Sequence, residues 1–253
     1  MLKNVIVKKP GKSYVNGLTT SNLGEPNYDQ LLVQHQAYIE SLKQCHVAIK
    51  ELPASEGFPD STFVEDTAVL TPEFAVITNP GAASRNAEIK EMEPVLKEFY
   101  TDIRYIKAPG TLDGGDVLQI DDHFYIGISA RTNEAGATQL KEILESSHYQ
   151  ATIVPLKKFF HLKTGVAYLG KNLIVAAGEF IDHPAFNQYD KIVVPDEDEY
   201  AANCILVNDY VIIPKGYPAT RKQMIDKGYQ TIELEMTEFQ KHDGGLSCLS
   251  LRF

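Results

Sequence analysis

Short apolar runs and polar clusters alternate along this chain in a repeating order. Glu65-Asp66 leads into an apolar run at 67–70, a turn at 71–73 and a second run at 74–78. Asp113-Gly114-Gly115-Asp116 leads into runs at 117–120 and 123–129, with Asp121-Asp122 between them. His161 to Gly165 leads into 166–169, a turn at 170–172, and 173–178. Ala202-Asn203 leads into 204–207, Asn208-Asp209, and 210–214. Asp243-Gly244-Gly245 leads into 246–251, where the chain stops. Each run is short, β-branched or aromatic, and bounded by turn residues, so the pattern predicts successive β-hairpins. The five polar clusters recur at intervals of roughly 40 to 50 residues, a period that points to repeated supersecondary units.

Between the hairpins the period changes from two to about 3.6. Tyr28, Leu31, Leu32, His35, Tyr38, Ile39 and Leu42 recur at i, i+3, i+4 spacing and predict a helix over 26–46. Pro26 suits its first turn. Further helices are predicted over 84–100, broken near Pro94, and over 133–145 and 219–228. The fifth unit lacks a second strand, and the first is preceded by a spare one at 4–8. Pairing the two would close a ring and hide two sheet edges. The expectation is a five-unit pseudo-symmetric α/β propeller, a single domain over 1–253 with both termini in one unit. An open mixed sheet is the competing arrangement.

The composition, 43% hydrophobic and 23% charged, is that of an ordinary globule, and 253 residues can bury a core without disulfides or metals. Cys45, Cys204 and Cys248 are odd in number, far apart and outside any CxxC pattern, which argues for a reducing, cytoplasmic setting. No run approaches a membrane span, and 1–14 lacks a signal-peptide core. A net charge of −10 disfavours nucleic acid and anionic membrane as partners and suits a small cationic ligand.

If the units are equivalent, their leading clusters converge. Glu65, Asp66, Asp113, Asp116, His161, Lys163, Asn203 and Cys248 would then share one end of the axis. Alone, Cys248 reads as core and His161 as an ordinary structural histidine; Asp113 and Asp116 read as turn residues. Together they offer a thiol nucleophile, an imidazole able to pass protons near neutral pH, and two carboxylates. The carboxylates and histidine are not at usual metal-ligand spacing. They suit a guanidinium, which meets carboxylates by paired hydrogen bonds, stays charged, and presents its central carbon to a nucleophile.

The blocks FPDSTFVEDTAVL, GTLDGGDVLQI, FYIGISARTNEAGA, HLKTGVAYL, YAANCILVN and DGGLSCLSLRF, with NGLTTSNLG near the start, resemble the dimethylarginine dimethylaminohydrolases nearly from end to end. Those enzymes belong to the guanidino-modifying superfamily, near the arginine deiminases. The resemblance implies an amidine hydrolase that converts Nω-methylated arginines to citrulline and methylamines, without metal or organic cofactor. It implies Cys248 as nucleophile, forming a thiouronium; His161 as acid and then base; and Asp66 and Asp113 on the guanidinium nitrogens. Asp60 and Glu65 fall in one substrate-binding block, with Asp60 on the α-amino group. Arg85 and Arg131 would take the α-carboxylate, and Leu18 would lie on a lid. The His242 backbone carbonyl would face the α-amino group, although an apolar residue is usual there. Arginine deiminases carry Asp two residues after the histidine; here Lys163 stands there, which leaves room for methyl groups. The rivals are an arginine deiminase or other guanidino or ureido hydrolase, and a non-catalytic propeller used for binding. A homodimer is left open.

Overall fold

The computed structural model describes all residues, Met1–Phe253. The chain forms α/β structure with five separate three-stranded sheets, so the open mixed sheet is excluded. It begins with β1 (Asn4–Lys8), crosses through α1 (Tyr28–Gln44), and returns parallel to β1 as β2 (Ala48–Leu52). The second sheet holds β3 (Ala68–Leu70), β4 (Ala75–Ile77) and, after α2 (Ile89–Leu96), β5 (Ile103–Tyr105). The third holds β6 (Val117–Ile120), β7 (His123–Ile128) and, after α3 (Glu134–Glu145), β8 (Gln150–Pro155). A one-turn helix, α4 (Leu162–Gly165), precedes β9 (Val166–Tyr168), β10 (Leu173–Ala177) and β11 (Asp190–Val194). The fifth group is β12 (Ile205–Val207), β13 (Tyr210–Pro214), α5 (Pro218–Asp226) and β14 (Gln230–Leu234). After α6 (Thr237–Gln240), β15 (Leu251–Arg252) pairs antiparallel with β1, Val5 opposite Arg252 and Ile6 opposite Leu251.

Every sheet therefore has one plan. A central strand pairs antiparallel with a hairpin partner and parallel with a third strand. The tight turns place Asp121, Asn172 and Asn208 in the left-handed region, at φ of 53°, 62° and 53°. Asn and Asp tolerate that region better than other residues with side chains. Central strands such as β10 are buried along their whole length, while third strands such as β14 are largely half-exposed. That half-polar character is why the five parallel third strands carry no clear sequence signal.

The first helix starts at Tyr28; Asn27 caps it by accepting from the Gln30 N–H at 3.0 Å, which leaves Pro26 just outside. Its buried face runs Leu31, Gln34, His35, Tyr38, Ile39, Leu42, the predicted spacing. The second is shorter than predicted, and Pro94 lies inside it instead of breaking it. The larger correction concerns 246–251. Only Leu251–Arg252 is strand, and Ser247–Leu249 is a 3₁₀ turn. Fully buried Tyr38 secures this turn: its hydroxyl donates to the Leu246 carbonyl at 3.0 Å and lies 2.6 Å from Ser250 Oγ. No helix is long and apolar enough to cross a membrane.

Ile6, fully buried, packs beside Leu52, Val64, Ala68 and Leu251 where the two chain ends meet. Ile6→Ala is expected to cost about 2–5 kcal/mol of unfolding free energy in urea, as deletion of a buried aliphatic side chain does. The half-exposed control Val193→Ala should cost about 0.5 kcal/mol or less. Equal effects in the two variants would show that closure contributes nothing special.

Candidate active site

Each hairpin is entered through a short helical turn, and these turns carry the chemistry. Asp66 lies in the 3₁₀ turn Val64–Thr67, just before β3. Asp113 immediately precedes the turn Gly114–Asp116, His161 is the N-cap of α4, and Cys248 lies in the turn before β15. The turn at Asp66 packs against those at Asp116 and Cys248, and α4 packs against its neighbours on both sides. Asn203, before β12, completes the circle by accepting the Ser247 N–H at 2.9 Å. Side chains far apart in sequence thereby become neighbours.

One small cavity, ≈ 30 Å³, is lined by Leu18, Asp60, Asp66, Arg85, Asp113, Arg131, His161, His242 and Cys248, together with Phe63, Phe160, Asp243 and Gly244. Glu65 is absent from it. Its carboxylate turns towards Lys163 Nζ at 2.7 Å, Ser247 Oγ at 2.8 Å and Arg252 Nη2 at 3.4 Å. In the turn Val64–Thr67 it is Asp66 that takes the side facing the cavity. Lys163 is likewise absent from the cavity, so no side chain at that position meets whatever the cavity holds.

The electrostatics are dominated by buried carboxylates. Asp66 accepts from Arg85 Nη1 at 2.5 Å and from the Gly115 N–H at 3.0 Å. Burial works against its charge, but Arg85 and His161 outweigh that and hold its carboxyl below the usual range. Asp113 accepts the Gly81 N–H at 2.8 Å. Its other oxygen lies 3.3 Å from His161 Nε2, an ion-pair contact without hydrogen-bond alignment, so both atoms lack a partner. Asp116 receives the Ser129 and Thr132 hydroxyls, each at 2.6 Å, and the Leu162 N–H at 3.1 Å.

Burial opposes an imidazolium at His161, yet Asp116, Asp66 and Asp113 together push it up to about 9. The Cys248 thiol is pushed up to about 12, first by burial and then by the charges of Glu65 and Asp66. The Gly245 N–H, 3.5 Å from Sγ, only partly offsets this. The surroundings thus favour the protonated form of both groups. Asp66, Asp113 and His161 could also meet a metal ion, their ligand atoms lying within 4.8 Å of one another. The Arg85 contact already occupies one oxygen of Asp66, which a metal would have to displace.

The two arginines differ. Arg85 is buried and committed to protein: Glu88 at 2.9 Å, Asp66, and the Phe63 and Asp60 carbonyls. Arg131 has no carboxylate partner; its guanidinium lies 5.1 Å above Phe160. Glu88 escaped the sequence reading, because a glutamate before a helix looks like a solvated charge; only burial against Arg85 distinguishes it.

The segment carrying Leu18 folds over the cavity. The Leu18 N–H donates to Asp60 at 2.9 Å, and the Thr20 N–H donates to Asp243 at 2.6 Å. The Thr19 and Ser21 hydroxyls donate to the Lys241 carbonyl. His242 stacks on Tyr14 with ring centroids 4.7 Å apart, and burial lowers its pKa. Glycines at three positions allow close packing around the site. A Cβ on Gly115 would lie 2.6 Å from His161 Nδ1, so a larger residue would displace the imidazole. The pair Gly244-Gly245 permits close packing on Phe63 and Asn203 instead of a tight turn beside a ligand; the left-handed residue there is Asp243, at φ 55°.

Comparison with known proteins adds independent information. The family model "N,N dimethylarginine dimethylhydrolase, eukaryotic" matches residues 24–249. An N(G),N(G)-dimethylarginine dimethylaminohydrolase of Pseudomonas aeruginosa is 49% identical over 254 residues, covering 100% of both chains. A solved structure of the Pseudomonas aeruginosa enzyme, a cysteine-to-serine mutant complexed with citrulline, superposes with a TM-score of 0.99 at 49% identity over 100% of each chain. The N-terminal domain of the cyanobacterial arginine dihydrolase ArgZ shares the fold alone, with 17% identity, a TM-score of 0.89, and 100% of this chain and 98% of that one covered. The chain belongs to the dimethylarginine dimethylaminohydrolase family.

Proposed function

We propose that the protein hydrolyses Nω-methylated arginines to citrulline and methylamines through a covalent intermediate on Cys248. The observation that carries this reading is one cavity holding the Cys248 thiol, the His161 imidazole and the buried carboxylates of Asp66 and Asp113. A relative aligned over the whole of both chains bears the same activity in its name. The five sheets act as five units of a pseudo-symmetric propeller, in one domain over 1–253, whose axis this cavity occupies. Three unpaired, buried cysteines fit a reducing cytoplasm.

In this mechanism the substrate guanidinium settles against Asp66 and Asp113, adding positive charge to the cavity that holds the thiol. That charge favours loss of the Cys248 proton. Sγ then attacks the guanidinium carbon, and the bond to the methylated nitrogen breaks as His161 gives that nitrogen its proton, releasing dimethylamine. Neutral His161 next takes a proton from water, and the resulting hydroxide adds to the thiouronium carbon. As the C–S bond breaks, the new hydroxyl passes its proton to the leaving sulfur, giving citrulline and the resting thiol. The proton first lost from Cys248 ends on the released amine. One water is consumed, and no metal or redox group enters.

Of the two arginines, Arg131 is the one with donors free for an α-carboxylate. Arg85 acts mainly by holding Asp66 charged, with Glu88 fixing Arg85 in turn. Asp60 and the His242 carbonyl serve the α-amino group. The ordering of 17–21 over the cavity leaves room for only about one water, so Leu18 and its neighbours lift to admit substrate and then close to exclude solvent. Glu65 does not touch substrate in this scheme; it braces the turn carrying Cys248. Lys163 leaves the methylated end of the pocket without a carboxylate, which favours methylated arginine over arginine.

Four outcomes test these assignments. Purified protein incubated with Nω,Nω-dimethylarginine should release citrulline and dimethylamine in equal amounts, with kcat/KM for arginine at least about tenfold lower. Cys248→Ser should reduce turnover by about 10³-fold or more, as removal of a covalent nucleophile does. Alkylation of the empty protein by iodoacetamide should be slow at neutral pH and keep rising beyond pH 10 at Cys248. A plateau near pH 7 would mean that the thiol is already ionised. His161, raised above its ordinary value near 6.5, stabilises the folded protein fully below that pH and loses the contribution as pH rises through about 9. Urea unfolding between pH 6 and 9.5 should therefore show wild type losing on the order of 3 kcal/mol relative to His161→Asn.

A further inference from the structure

A second cavity, ≈ 330 Å³, shares no lining residue with the first. It is formed by the hairpin strands β3, β6, β9, β12 and β15, and its walls are mainly aliphatic. At its polar end stand Glu65, Lys163, Ser247 and Arg252. The neighbours of these residues face the first cavity: Asp66 beside Glu65, and Cys248 beside Ser247. The two cavities thus lie on opposite sides of the same short turns.

Two cations meet one carboxylate at this polar end. Lys163 and Arg252 are partly exposed, with 16% and 17% of their side chains accessible, and both turn to Glu65. Arg252 Nη1 is engaged by the Ser247 carbonyl and by Ser250. Its Nη2 has only the 3.4 Å contact with Glu65, and its Nε has no protein partner. A chamber open to solvent, where aliphatic side chains alternate with polar surface and one end carries a net positive charge with unused guanidinium donors, matches a small carboxylate bearing a short aliphatic chain. The chain would fill the strand-lined volume, and the carboxylate would take the Arg252 fork.

We propose that this cavity is a second ligand site, for a short-chain aliphatic carboxylate, and that its occupation is transmitted to Cys248 through Glu65 and Ser247. A carboxylate on Arg252 and Lys163 draws both from Glu65. Glu65 then loses neutralising partners while still holding the Ser247 hydroxyl, one residue from the thiol. Added negative charge behind Cys248 disfavours its thiolate, so the bound anion slows chemistry without blocking the substrate cavity.

Hexanoate is the probe, titrated by calorimetry into the wild-type protein with and without saturating citrulline, and compared with hexylamine. Hexanoate should bind equally well in both conditions, and hexylamine should not bind. Arg252→Gln should weaken hexanoate by at least tenfold. Because Arg252 also braces the terminal turn, a second variant, Gln119→Trp, blocks the cavity from an exposed lining position. It should abolish hexanoate binding and leave dimethylarginine turnover unchanged. In steady-state assays hexanoate should lower kcat with KM unaltered. No hexanoate binding, displacement of hexanoate by citrulline, or undiminished binding in Gln119→Trp overturns the site. Binding without any change in kcat overturns the coupling. Calorimetry reads the site directly, so its result stands whether or not the protein turns over dimethylarginine.

Discussion

Closure of the chain on itself is the constraint from which the site follows. Strand β1 has no hairpin partner until the last residues return to it. Val5 and Ile6 then pair with Arg252 and Leu251, and the Lys3 and Asn4 N–H groups reach the Phe253 carbonyl at 2.9 and 2.7 Å. This contact spans almost the entire sequence. Its loop entropy is met by burial of Ile6 and Leu251 and by the loss of two exposed sheet edges. Without it, the turn bearing Cys248 would have no fixed relation to Asp66, nearly two hundred residues earlier.

Closing the circle of turns concentrates charge in a confined volume, and each charge needs compensation. Arg85 is the centre of that compensation, flanked by Asp66 and Glu88 and by two backbone carbonyls. A buried carboxylate without it would take up a proton and lose its use as a guanidinium ligand. His161 responds in the opposite sense, becoming a cation because three carboxylates face it. The unpaired atoms, Asp113 Oδ2 and His161 Nε2, remain where a cationic substrate with several N–H donors could meet them.

The back of the same turns has its own chemistry. Glu65 and Ser247 line the second chamber, yet each adjoins a residue of the first cavity in sequence. A tight turn has no slack between successive residues, so a shift at Ser247 is felt at Cys248. This architecture couples two chambers without any long path between them.

Hairpin positions, the five-fold spacing and most helical faces were readable from residue order, because alternation and turn chemistry are local properties. Nine of the ten candidate site residues line one cavity: Asp66, Asp113, His161 and Cys248 come from the recurring turns, and the other five from loops that only the fold brings to them. The exception, Glu65, could not be separated from Asp66 by spacing; the direction of each side chain depends on the turn geometry. The parallel third strands were invisible because their residues are half-polar and gain their partners only from the crossover. Cys248 was placed on a strand from its apolar neighbours, although burial and the Tyr38 hydroxyl draw that stretch into a 3₁₀ turn. Commitment of Arg85, the hidden partner Glu88, the charge on His161 and the second chamber all arise from distances between segments. Local sequence set which residues were available and in what order; only the closed fold decided which of them would share a dielectric, a proton or a wall.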